Sequence, residues 1–92
     1  MTEQAILTML KTNLGITSTG YDTRLTQIIE TSEKAIIAEG VSLLDKSQLE
    51  DAQLIVMYAE WIWRKRDTGE GMPRMLRWSL NNRVFAEKAR AE

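Results

Sequence analysis

The chain contains no cysteine and no histidine. The first absence removes disulfides, thiolate nucleophiles and sulfur metal ligands. The second removes the imidazole base, any Ser-His-Asp arrangement and the usual zinc site. Catalysis would have to rest on Asp, Glu, Lys or Tyr, so the chain is expected not to be an enzyme and to carry no cofactor or metal. Proline occurs once and glycine five times, which favours helices broken at defined points. No apolar run approaches the ~20 residues of a membrane span. The N-terminus "MTEQAILTML" has an acid and no basic n-region, so a cytosolic product without membrane contact is expected.

What remains is an ordinary globular composition, 43% hydrophobic and 27% charged. At 92 residues it is expected to form one domain, 1–92, because a second could not sustain its own core. The net charge of −1 hides a split. Residues 1–60 hold nine acids against Lys11, Arg24, Lys34 and Lys46, a balance of −5. Residues 61–92 hold eight bases against four acids, a balance of +4. Such polarity suits a protein that meets different partners at its two ends or stacks head to tail; solvated helix faces would produce it equally well.

Periodicity predicts an all-α, four-helix domain. The first helix covers about 2–14, with Thr2 as N-cap and Ile6, Leu7, Leu10 and Leu14 on one stripe. Gly15 and Ile16 form a Schellman-type stop. The second, 22–39, turns Leu25, Ile28, Ile29, Ser32 and Ile36 inward, with Ile37 at the margin, and Gly40 ends it. Ser47 and Glu50 have capping-box spacing and open the third. That helix is apolar on most sides through Trp63, about nineteen residues and roughly 28 Å long, and is expected to be the central element. Pro73 opens the fourth, where Leu76, Leu80 and Val84 recur every four residues, and its last turns bury little.

The segment "WIWRKRDTGEGMPRMLRWSLNNR", 61–83, holds all three tryptophans and six of the twelve basic residues. A nucleic-acid reading would use Arg64, Lys65, Arg66, Arg74, Arg77 and Arg83 on phosphates with the tryptophans stacking on bases, or, as a helix–turn–helix reader, Arg77, Asn81, Asn82 and Arg83 on base edges. Against it stand a sequence pI of about 5.5 and the apolar residues Met72, Met75, Leu76 and Trp78 interleaved among the bases. Trp61 and Trp63, roughly 200° apart on a helix, cannot share one interior. Trp61, Trp63, Arg64, Arg66, Arg77 and Trp78 are therefore the candidate assembly contacts, these residue types being enriched in interface hot spots. The acid pairs Glu30/Glu33 and Glu50/Asp51 are expected to face water rather than hold a metal. "GEG" at 69–71 lacks the spacing of a phosphate loop.

Two stretches carry a family likeness: "YDTRLTQIIETSEKAI", and "AQLIVMYAEWIWRKRDTGEGMPRMLRWSLNNRVF", of which "MPRMLRWSLNN" is the most specific piece. Over about 2–85 the chain resembles the head–tail connector (adaptor) proteins of tailed phages. The resemblance implies an all-α subunit of a closed homo-oligomeric ring in the virion neck, assembled in the host cytoplasm. One face would bind the portal protein and the other the stopper or tail-completion protein. Genomic DNA would pass the lumen in transient, non-specific contact, and there would be no catalysis and no cofactor. The likeness transfers no functional residue; Arg64, Lys65 and Arg66 are the candidate DNA-facing residues on their chemistry alone. Set against that family the chain is expected to lack an extended C-terminal strand or arm, and residues 77–92 are expected to take its place at the portal. The alternative is a small helical DNA-binding or regulatory domain that uses the helix starting near Pro73.

Overall fold

The computed structural model describes residues 1–91, without the side chain of Ala91; Glu92 lies outside the described residues. It is all-α. Four helices follow one another in chain order: α1 (Glu3–Leu14), α2 (Asp22–Ala38), α3 (Leu49–Thr68) and α4 (Arg74–Ala91).

Local chemistry sets most of these boundaries. The Thr2 hydroxyl accepts from the Ala5 amide at 3.1 Å and so satisfies one orphan donor of α1. At the other end Gly15 is left-handed, φ 73°. Its amide bonds to Thr12 O, and that of Ile16 to Lys11 O at 2.9 Å, the paired bonds of a Schellman stop. α2 ends differently. Gly40 (φ 122°) bonds back to Ile37 O, and a Cβ there would stand 3.3 Å from Val84 of α4. Gly40 thus leaves room for the Val84 side chain against the backbone. Gly69, left-handed at φ 67°, closes α3.

One core joins all four helices. Ile6 and Leu10 come from α1, Leu25, Ile29 and Ile36 from α2, Ala52, Ile55, Val56 and Ala59 from α3, and Leu76 and Leu80 from α4. Ser32 enters this core by returning its hydroxyl to Ile28 O at 2.8 Å. α3, the longest at 20 residues, packs on each of the other three. Its fully buried positions all fall between Asp51 and Ala59; Trp61, Ile62 and Trp63 are half-buried.

Three expectations need correction. Ile37 is 46% exposed and belongs to the outer face of α2. The capping box is not formed. Ser47 turns its amide and its hydroxyl to Asp45 Oδ1, and Gln48, with no side-chain bond, takes the cap position of α3. The acid pairs are not both in water. Asp51 is 4% exposed. Glu33 is half-buried, with Lys46 Nζ at 3.5 Å.

Candidate assembly surface

Asp51 is buried because α4 brings it a cation. Arg83 donates from Nε to Asp51 Oδ1 at 2.8 Å and from Nη2 to Oδ2 at 3.2 Å, a bidentate pair. Its Nη1 reaches Glu87 Oε1, one turn on, at 3.3 Å. The connection between α2 and α3 is sewn into the same cluster. Leu43 N donates to Glu87 Oε1, Leu43 O accepts from Arg83, and Asp45 N donates to Asp51 Oδ2. The hydrogen bond to Asp51 is the main cause holding the Arg83 guanidinium above its ordinary range. This clamp fixes the rotation of α4 on α3, and with it which side of α4 faces out. It also removes Arg83 from the base-reading set, since its side chain is 12% exposed and four of its five N–H donors are engaged.

The outward side of α4 carries an apolar stripe among basic and amide side chains. Met75, Trp78 and Phe85 are 64%, 61% and 74% exposed. With Asn82 and Ala89, also exposed, they fall at spacings of three and four, the a/d pattern of a helix-pairing seam. Every exposed charge on α4 is positive: Arg74, Arg77, Lys88 and Arg90, while its one acid, Glu87, is inside the clamp. Beside this ridge runs a trough where α1 and α4 flank α3. Met57 of α3 lines three adjoining hollows there. The one toward α4 measures about 370 Å³ and includes Glu50, Gln53 and Asn82; the one toward α1 measures about 360 Å³ and includes Met9 and Asn13.

The residues singled out from sequence do not form one patch. Trp61 turns toward the loop before α4, where Nε1 donates to Glu70 O at 3.2 Å and the ring meets Tyr58 edge-on. Trp63 turns the other way and meets Tyr21 edge-on at 5.5 Å. Arg64, Lys65 and Arg66 follow one another at roughly 100° per residue, so they radiate around the end of α3. Arg64 points to the trough, 3.9 Å from Glu60. Lys65 lies over Trp61 and Arg66 over Trp63, at 4.2 and 3.8 Å from the rings. Arg77 reaches Glu39 of α2 at 3.5 Å. Near that pair, burial first and Glu39 second raise the Tyr58 phenol. Trp78 alone of the three indoles is mostly in solvent.

Sequence reasoning passed over Phe85 as a contact and missed the clamp. Phe85 carried a signal in its seven-residue distance from Trp78. The clamp carried a fainter one: Arg83 and Glu87 continue the stripe of Leu76 and Leu80, and Asp51 precedes Leu54 and Ile55 by one turn. No known protein family matches the chain, and neither a curated protein nor a solved structure is significantly similar to it.

Proposed function

We propose that this chain is a structural subunit whose work is assembly, a head–tail connector that forms a ring between the portal and the tail or stopper of a tailed phage. The observation that carries the reading is the α4 ridge. Three large apolar side chains more than 60% exposed on one face of one helix, broken only by Asn82, form a stripe of the kind that marks an interaction site. The seam spacing gives the patch a helix-pairing geometry. Self-pairing of two ridges in antiparallel fashion would set Arg74 against Lys88, like charges that repel. A ridge docked over the trough of the next copy avoids this and makes the contact heterologous, the type that closes rings. Glu50 and Glu60 lie in that trough to meet the basic flanks, and Met9 and Met57 supply adaptable apolar surface.

In this reading Trp78, Phe85, Met75 and Arg77 form the contact, and Trp61 and Arg64 belong to the receiving trough. Trp63 and Arg66, on the far side of α3, stand outside it. The portal and the stopper or tail-completion protein are proposed as the partners above and below the ring. The base-reading alternative lost Arg83 to the clamp and is left to the experiment. Sedimentation velocity of the purified chain, alone and with a portal, is expected to show a closed oligomer that Trp78→Ala with Phe85→Ala returns to monomer at unchanged helicity. Trp61→Ala and Arg77→Ala weaken it, and Trp63→Ala does not. A wild-type chain that stays single at high concentration in both settings overturns the proposal. So does site-preferring duplex DNA binding near a dissociation constant of about 10⁻⁸ M.

A further inference from the structure

On the opposite side of α3 from the trough, a cleft of about 270 Å³ opens between α2 and α3. Its lining is Arg24, Gln27, Ile28, Thr31, Ile62 and Arg66. Ile62 lies nine residues from Gln53, two and a half turns, which places the cleft and the trough back to back on one helix. All four polar side chains in it donate hydrogen bonds, and no carboxylate lines it. Arg24, Gln27 and Thr31 stand on one face of α2 at spacings of three and four, and Ile62 and Arg66 answer them from α3.

Two arginines turned into one cleft without an acid between them repel each other, and an anion relieves the repulsion. Arg24 makes no ion pair among the described residues, and the one carboxylate near Arg66 is the exposed Asp67 at 3.9 Å. Stacking on Trp63 at 3.8 Å occupies the face of the Arg66 guanidinium and leaves its N–H edge available. Arg24 and Gln27 also lie in the first turns of α2, where the helix dipole favours negative charge. The C-terminal end of α3 opposes this, and the two guanidinium charges outweigh that half charge. The cleft is smaller than the ~300–1,000 Å³ pockets that enclose whole small molecules, so it suits one charged group better than a nucleoside.

We infer that the α2–α3 cleft is a phosphate-binding site, in which Arg24 and Arg66 hold a phosphoryl oxyanion assisted by Gln27 and Thr31. The site is complete within one copy and does not depend on ring assembly. The phosphate belongs either to a free phosphate or to a nucleic-acid backbone. Trp63, in contact with Arg66, serves as the reporter. Titration with inorganic phosphate and, separately, with a mixed-sequence duplex oligonucleotide is followed by tryptophan fluorescence and by the amide resonances of Gln27 and Thr31.

Saturable shifts with inorganic phosphate, lost in Arg24→Gln with Arg66→Gln, identify a free-phosphate site. Shifts with the duplex alone identify a backbone site. In that case the double variant lowers the log–log salt slope of binding by about 1.8, at ~0.9 for each lost contact. Arg66→Lys, which keeps the charge without the fork, is expected to restore binding in part. Both arginines are exposed, so the glutamine variants remain folded, as their circular dichroism would show. The inference is overturned if neither probe moves the reporters at low salt, or if the double variant binds as the wild type does. Neither result bears on the ring, which is read by sedimentation of the same variants.

Discussion

Leu76 and Leu80 of α4 are 1% and 0% exposed, while Met75, Trp78 and Phe85 of the same helix keep more than half of their surface in water. Hydropathy does not separate the two sets, and residue size favours the exposed one. The difference lies in what stands opposite. The inner stripe meets α3 and finishes in the Asp51–Arg83–Glu87 clamp, whereas among the described residues Trp78 and Phe85 of the outer stripe stay mostly in water and Met75 only borders the trough. A helix with two apolar sides and one partner is half of a contact. The comparison teaches that apolar character alone does not choose the inner side of α4: the buried Leu76 and Leu80 share that side with Arg83 and Glu87, whose bonds to Asp51 and Leu43 only that side can make.

The most severe way to break the comparison is Asp51→Ala. It removes the bidentate partner of the Arg83 guanidinium and the acceptor of Asp45 N in the 41–46 connection, and chemical denaturation is expected to show a loss of about 3–5 kcal/mol. Leu80→Ala removes a fully buried side chain and should cost about 2–5 kcal/mol by the same measurement. On the outer side the ranking inverts. Trp78→Ala and Phe85→Ala are each expected to change monomer stability by less than about 0.5 kcal/mol. In the proposed oligomer each is expected to remove about 2 kcal/mol or more per contact, read as a shift in the concentration at which assembly occurs.

The smallest effect lies off both stripes, at Glu33. Burial first, and Glu30 second, raise its carboxyl above the ordinary 4.5. A raised folded-state pKa means that folding favours the protonated acid. Its contribution is complete below the unfolded value and is lost as pH climbs through the folded one. Glu33→Gln is therefore expected to gain on the wild type between acid and neutral pH. The gain is a fraction of a kcal/mol, because water still reaches the group and Lys46 stands 3.5 Å away. A series of denaturation curves from pH 3 to 7 would check it.

Much of the fold was legible because the signals are local. Thr2 three residues before Ala5, glycine and isoleucine after Leu14, and a run of threes and fours through α2 each state their own outcome within one or two turns. The first-half core of α3 and the pair Leu76 and Leu80 were legible in the same way. The clamp was not, because Asp51 and Arg83 are 32 residues apart and charge pairing over that distance leaves no periodicity. Ser47 and Glu50 misled for a related reason. Their spacing is right, but Asp45, two residues earlier, is a nearer acceptor for the serine. The three consecutive basic residues after Trp63 looked like a patch in one dimension, and the helix disperses them in three. Of the proposed contact, Trp78 was readable, while the prominence of Phe85 depended on the inner stripe being settled first.

α4 is fastened along one narrow line. Leu76, Leu80 and Val84, the Arg83 and Glu87 ends of the clamp, and an exposed Arg77–Glu39 pair hold eighteen residues of helix to the remainder. Elements attached so sparingly tend to detach together and before the rest melts. A molecule that has shed this segment would retain the α1–α3 body while losing the proposed contact surface. Recruitment into a larger structure, by covering the outer stripe, would then also be what keeps the last helix from peeling away.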